Sequence, residues 1–170
     1  MKAAFFEQFG DPEVLKYGDL PDPVAAPGDV VVDVVAASVN AVDWKFRSGQ
    51  YPKKGETIFP LIPGRDFSGV VGALGSGVDL KVGDAVFGVL DAGRDGTDCE
   101  KLAIKASLVA KKPERLSHVN AAALAITGLT AIDALVDTTP ELAGDNSCSR
   151  SSSSTTGYTI LTMGVSFLLH

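Results

Sequence analysis

The chain has 170 residues, of which 45% are hydrophobic and 21% charged, and this suits one globular domain with a buried core. Its formal net charge of -6 argues against nucleic-acid binding, because phosphates need a basic surface. Two cysteines do not make a secreted disulfide framework, and the apolar run at 119–136 is shorter than the ~20 residues of a membrane span. We therefore expect a cytoplasmic protein without nucleic-acid or membrane partners.

Short strands separated by glycine and proline turns are predicted for the first 115 residues. In chain order we predict strands at 2–10 and 14–21, the clearest strand within APGDVVVDVVAASVN (26–40), a helix at 41–47, a loop at 50–64, and strands at 67–74, 85–90 and 102–104. Many short strands with such turns are typical of a small β-barrel.

The glycine-rich stretch PGRDFSGVVGALGSGVDLKVGD (63–84) raises the question of a phosphate-binding loop. Such a loop needs glycines in the order G-x-G-x-x-G between a strand and a helix, whereas Gly72, Gly75 and Gly77 have the reverse order. No amphipathic helix follows. The alternating apolar residues at 78–82 instead predict a further strand.

The pattern changes at Ser117, which is placed to cap a helix over about 117–137. Gly128 is expected to break this region into two helices. From Asn146 the composition changes again, to a serine run followed by an apolar end with Arg150 as its one charged side chain. We expect this tail to be a flexible segment that does not belong to the fold before it.

Several motifs in order resemble one enzyme family. They are AASVNAVDWKFRSGQYP (36–52), FPLIPGRDFSGVV (59–71), KVGDAVFG (81–88), LVAKKP (108–113) and AAALAITGLTAIDAL (121–135). Together they resemble the zinc-independent medium-chain dehydrogenase/reductases, and in particular NADPH-dependent quinone oxidoreductases, over residues 1 to about 145.

The resemblance implies a mainly β fold with some α-helix: a GroES-like β-barrel catalytic domain at 1–115, then short connecting helices at 116–145 that lead toward a Rossmann domain. The family's glycine-rich phosphate loop would follow Gly144-Asp145, where this chain has the serine run. We therefore expect the dinucleotide-binding domain to be absent and residues 146–170 to be an aberrant serine-rich tail. On this interpretation the chain is a truncated oxidoreductase.

The resemblance also implies which residues bind substrate and cofactor. Asn40 and Asp66 match the family positions nearest the substrate and the nicotinamide, and Thr130 matches the threonine that faces the nicotinamide. Tyr51 would line the substrate cleft. Each has a structural alternative: Asn40 could cap a helix through a capping box with Asp43, Asp66 could pair with Arg65, Tyr51 could pack on the barrel, and Thr130 could bond its own helix backbone.

No metal site is expected. Zinc-dependent relatives have Cys where this chain has Asn40 and Gly-His-Glu where it has Gly64-Arg65-Asp66, and its two histidines, His118 and His170, lie far along the chain. His118 is expected on the surface in the first helical turn, and Cys99 as a half-buried structural residue.

The parent reaction would be hydride transfer from NADPH to a quinone or activated carbonyl, with no residue identified as a catalytic acid. The full-length relative would form a homodimer. We expect this chain, as a truncated oxidoreductase, to be inactive alone; the alternative is a non-enzymatic GroES-like binding module.

Overall fold

The computed structural model describes residues 1–50, 58–91 and 96–133. The elements in chain order are β1 (Lys2–Phe5), β2 (Lys16–Asp19), β3 (Asp29–Ala37), α1 (Ala41–Arg47), β4 (Asp66–Leu74), β5 (Ala85–Val89), β6 (Lys101–Lys105), β7 (Val109–Lys111) and α2 (His118–Ile132). The expectations for Tyr51 and for the tail from Asn146 fall outside these residues.

Five strands form an antiparallel sheet in the order β6-β3-β4-β5-β7, and β1 pairs with β2 beside it. The two edge strands, β6 and β7, are joined by the short 3-10 turn Ala106–Leu108. Five flat strands would span about 19 Å, but the chain from Lys105 to Val109 reaches at most about 14 Å. The sheet therefore curls, and this agrees with the GroES-like barrel expected from the sequence.

Branched apolar residues explain why β3 lies at the centre of this sheet. Asp29–Ala37 contains five valines, and Val30 and Val32 are fully buried. The stiff side chains of valine suit a pleated, buried strand. The core around them comprises Val30, Val32, Phe67, Val71, Val86, Leu90, Leu102 and Ile104. Helix α2 covers this sheet through β3, β4 and β5, burying Ala121, Ala122 and Ala125.

Four sequence predictions need correction. The first strand ends at Phe5 rather than near Gly10, because Phe6 leaves the β1–β2 ladder and bridges to Leu61. Residues 78–82 form no strand; Val78 and Leu80 pack on the core while Val82 is 64% exposed.

The other two corrections concern β7 and Gly128. Strand β7 was not predicted, because its three residues carry no periodic pattern. Helix α2 runs through Gly128 without a break, so the expected pair of helices is one helix over the described residues. One glycine costs a helix interior only ~1 kcal/mol, which the packing of the buried alanines on the sheet can outweigh.

Candidate functional site

Asn40 lies at the amino end of α1, three residues after β3 ends. Its backbone is extended, with φ of -120° and ψ of 160°, and its N–H donates to Asp43 Oδ2 at 2.6 Å. This is the contact that a capping box requires, so the predicted structural role of Asp43 is present. Phe46 holds the helix against the barrel through an edge-on contact with Phe6, at a centroid distance of 5.8 Å.

The side chain of Asn40 meets Asp66, 26 residues further along the chain. Asn40 Nδ2 donates to both carboxylate oxygens of Asp66, at 3.3 Å each, and to Ser38 Oγ at 3.2 Å. Ser38 Oγ in turn donates to Asp66 Oδ1 at 2.6 Å. Asn40 therefore makes the capping contact through its backbone N–H while its side chain contacts Asp66, and its predicted role at the substrate stays a prediction.

Asp66 is fully buried at the start of β4. The predicted alternative was an ion pair between Asp66 and Arg65. Arg65 Nη2 instead donates to the backbone carbonyl of Leu90 at 2.5 Å, so its hydrogen bond does not support that pair. Burial raises the pKa of the Asp66 carboxyl, and the hydrogen bonds from Ser38 and Asn40 partly oppose this rise. A buried acid held by two polar side chains is the chemical centre of the site.

Two further acids share this environment. Burial raises the pKa of Asp43 to about 6, with the negative charges of Asp98 and Asp66 adding to the rise. Burial also raises the pKa of Asp98, again assisted by the charge of Asp66. Perturbed acids of this kind concentrate at functional sites, although structural networks perturb them too.

The hydroxyl of Thr130 bonds the backbone of its own helix, which is the structural alternative given above for this residue. Its Oγ1 donates to the carbonyl of Ile126 at 2.7 Å, one turn earlier in α2. The backbone of Ile126 also interacts with the Asp66 carboxyl and lowers its pKa. Of the predicted site residues, Asn40 and Asp66 are thus in contact. Thr130 lies one helical turn after Ile126, whose backbone interacts with Asp66. Tyr51 is outside the described residues.

Sequence reasoning missed Ser38 as a member of this site, and it gave no role to Asp98, whose charge acts on Asp43. Ser38 had a usable signal, because residues two apart in an extended segment face the same side and Ser38 is two residues before Asn40. Thr97 and Asp98 come from a loop near β6 and carry no local signal. Cys99, beside them, donates its thiol to the carbonyl of Lys101 at 3.1 Å, which fits the structural role expected for it.

His118 departs from the surface position expected for it. It begins α2 as predicted, but it is half-buried, and its Nδ1 lies 2.8 Å from Oγ of the fully buried Ser68.

Neither a metal-binding group nor a membrane-spanning helix is present in the described ranges, 1–50, 58–91 and 96–133. No group of three or more His, Cys, Asp or Glu side chains there could hold a metal ion. No helix in the same ranges has the length and apolar content needed to cross a membrane.

The part of the chain that forms the antiparallel sheet and most of its covering helix matches a family of known domains. Residues 26–128 match the alcohol dehydrogenase GroES-like domain. The chain belongs to this family, and its relatives are quinone and enone oxidoreductases of the medium-chain dehydrogenase/reductase superfamily. This confirms the recognition made from the sequence motifs and the mainly β fold. The described residues contain no Rossmann domain.

Two curated relatives illustrate the match. The tomato (Solanum lycopersicum) 2-methylene-furan-3-one reductase is 39% identical over 146 residues, which cover 79% of this chain and 37% of that protein. Human quinone oxidoreductase is 34% identical over 148 residues, covering 86% of this chain and 44% of the relative. The chain therefore spans less than half the length of these relatives.

Solved structures agree with this result. The quinone oxidoreductase of Coxiella burnetii has a TM-score of 0.75 and 39% identity, covering 79% of this chain and 44% of that one. A mycobacterial protein whose structure contains NADPH has a TM-score of 0.73 and 34% identity, covering 82% and 42% respectively.

Proposed function

We propose that this chain forms the substrate-side domain of a zinc-independent, NADPH-dependent reductase that transfers hydride to a quinone or an activated enone. The observation that carries the proposal is the hydrogen-bond network of the half-buried Ser38 and Asn40 with the buried Asp66, built at the end of β3. The names of the relatives supply the reaction class. A cytoplasmic location, and a homodimer for the full-length relative, belong to the same proposal on the sequence grounds given above.

The residues that we propose for the cofactor would contact one end of NADPH. Asn40, together with Thr130 once its hydroxyl turns from the Ile126 carbonyl, would contact the nicotinamide, while Asn40, Tyr51 and Asp66 would contact the substrate. When bound, the cofactor supplies the hydride; the protein orients both partners beside the buried acid.

The described residues do not fit the phosphate end. Pyrophosphate groups are usually held by open backbone amides at a helix amino terminus that follows a strand. At the start of α2 the Asn120 N–H already donates to the capping Ser117 Oγ at 3.2 Å. A net charge of -6 further disfavours a polyanionic ligand. We therefore propose that the 170-residue chain alone neither binds NADPH tightly nor reduces quinone.

Trp44 gives a direct test of cofactor binding. It lies on α1, four residues after Asn40, and its side chain is 43% exposed, so its fluorescence reports on ligands near the site. Titration with NADPH should give affinity no tighter than millimolar, which is about 4 kcal/mol. Saturation at micromolar NADPH, or NADPH-dependent loss of quinone absorbance above a heat-killed control, would contradict inactivity of the chain alone.

Substrate binding is tested separately with a fully substituted quinone, which cannot alkylate the thiol of Cys99. Nuclear magnetic resonance shifts should change at Asn40 and Asp66, and Asn40→Ala should weaken binding by about tenfold, the loss expected for one buried hydrogen bond. Asn120→Ala, at an exposed position on α2, is the matched control and should leave binding unchanged. If both variants lose the same affinity for the quinone, or if the chemical shifts change only on a distant surface, the proposed substrate site is wrong. A binding module of other specificity would then be favoured.

A further inference from the structure

The apolar side of α2 that faces the sheet continues past the part that the sheet covers. Ala121, Ala122 and Ala125 on this side are buried. Leu129 and Ile132 follow Ala125 at the i+4 and i+7 positions, so they lie on the same side of the helix. They are nevertheless 57% and 56% exposed. The stripe of apolar side chains therefore runs on for about two helical turns without cover from the sheet.

Gly128 lies beside this exposed part of the stripe and faces open space. It is three residues after Ala125, which places it about 60° from Ala125 around the helix axis. A methyl group built on Gly128 would meet nothing within 4 Å. A glycine also lets another backbone approach closely, because it has no side chain. The space next to the end of α2 is therefore open to a second molecule.

Helix α2 lacks the charged side chains that an exposed helix usually carries. Its 15 residues, HVNAAALAITGLTAI, include no Asp, Glu, Lys or Arg, whereas the 7 residues of α1, AVDWKFR, include one acid and two bases. The polar side chains of the last two turns are Thr127 and Thr130, and both hydroxyls donate to carbonyls of the same helix. An uncharged, apolar helix end of this kind is typical of a contact surface.

A second copy of this chain fits the surface by charge and by symmetry. Two copies that each carry a net charge of -6 repel, so they can meet only where neither presents charge. In an antiparallel pair of α2 helices around a two-fold axis, Leu129 of each copy meets Ile132 of the other. The Asp133 carboxylates, which follow directly, then lie at opposite ends of the contact, whereas a parallel pair would set them side by side.

We propose that residues 126–132 form a self-association surface, through which two copies of this chain pair in an antiparallel, two-fold arrangement. The contact is built around Leu129 and Ile132 of each copy, with Gly128 allowing the two helices to approach closely. Two large apolar side chains from each copy cover far less than the ~800 Å² per partner of a standard interface. Pairing is therefore weak and reversible, with a dissociation constant of about 100 µM.

Sedimentation velocity of the purified 170-residue chain tests this pairing. The mass should rise from 17.6 kDa toward twice that value as the concentration increases from about 5 to 500 µM, on either side of the expected dissociation constant. Salt screens the repulsion between the two negative copies, so pairing should strengthen as salt is added. A chain that keeps the monomer mass throughout, or pairing that salt weakens, overturns the proposal.

Three glutamate variants that change the charge equally locate the surface. Leu129→Glu should weaken pairing by about tenfold or more, because the contact would bury an unpaired carboxylate. Gly128→Glu should weaken it similarly and keep the fold, since glutamate favours helix and its position is open. Val82→Glu, at a 64% exposed valine outside α2, is the matched control and should leave pairing unchanged.

Unchanged pairing in both α2 variants, or equal loss in the Val82 variant, overturns the proposed surface. Larger assemblies that persist in all three variants do so as well. None of these measurements uses quinone or cofactor, so their failure is distinct from a failure of the proposed function.

Discussion

Gly64 lies where the backbone must turn and where no side chain fits. Its φ is +95°, and an added methyl group would come within 3.0 Å of three atoms of Thr97 and Asp98. We expect Gly64→Ala to lower the free energy of unfolding by about 3 kcal/mol, from overpacking together with the left-handed backbone. Urea unfolding measures this loss.

Gly77 provides the control for this prediction. Its φ is +78°, but a methyl group there would meet nothing within 4 Å. Gly77→Ala should therefore cost only the backbone strain, about 1 kcal/mol. If both variants lose the same stability, crowding at Gly64 is not the cause.

The raised pKa of Asp43 predicts how the stability of the chain depends on pH. Its pKa is about 6 in the folded chain, above the ~3.9 of an unfolded aspartate, so between these values the folded chain holds a proton that the unfolded chain has released. The free energy of unfolding should therefore fall as the pH rises through this window. Asp43→Asn keeps an oxygen that can accept from the Asn40 N–H and cannot ionise.

As the pH rises from about 4 to 6, the free energy of unfolding should therefore fall less in the Asp43→Asn variant than in the wild type. The difference between the two chains should reach up to about 3 kcal/mol. Thermal or urea unfolding across this pH range gives the comparison. Parallel pH profiles for the two chains would show that Asp43 is not the group responsible.

How far the site could be predicted depends on the distance between its residues along the chain. The capping contact between Asn40 and Asp43 spans three residues, and a local pattern was enough to suggest it. The contact between Asn40 and Asp66 spans 26 residues and was not predicted, because the resemblance to a family implied only that both residues lie near the substrate. Thr97 and Asp98 reach Gly64, two residues before Asp66, through the fold alone, because no periodicity or cap marks them.

At the scale of elements, α2 is attached to the sheet by a buried hydrogen-bond chain. Ser68 Oγ on β4 donates to the Val86 carbonyl at 2.8 Å, so its single proton is used. His118 must then supply the proton of the second bond from Nδ1, at 2.8 Å. The first turn of the helix is thereby tied to two strands.

Ser68→Ala should break both contacts and separate the first turn of α2 from β4. We expect the free energy of unfolding to fall by about 1–3 kcal/mol, which is the usual cost of losing a hydrogen-bond partner at a buried site. Ser107→Ala, at an exposed serine, is the matched control and should stay within about 0.5 kcal/mol of the wild type. Amide exchange in α2 should also accelerate in the Ser68 variant; unchanged exchange would mean that α2 is held by apolar packing alone.

Elements with strong local signals were predicted best. Helix α1 has its predicted bounds because an N-terminal cap and Ser48-Gly49 delimit it. Strand β7 and the continuity of α2 through Gly128 were missed, since both depend on what packs against them rather than on local preference.

At the scale of the whole molecule, the match to the alcohol dehydrogenase GroES-like domain makes metal content informative, because zinc-dependent relatives share the fold. Asn40 and the Gly64-Arg65-Asp66 segment lack the thiolate and imidazole ligands that zinc prefers. We expect purified protein, dialysed against chelator, to contain far less than one zinc per chain. Stoichiometric zinc by elemental analysis would contradict both this expectation and the zinc-independent assignment.

The strand order also determines when the sheet can be completed during synthesis. Strand β3 is central, but one of its neighbours, β6, ends 31 residues after β4 has ended at Leu74. At 5–20 residues per second, a ribosome takes roughly 2–6 s to make that stretch. For this interval the valine-rich β3 has an unpaired edge, which is a template for pairing with another nascent chain. Aggregation during expression should therefore depend on the speed of translation between β4 and β6.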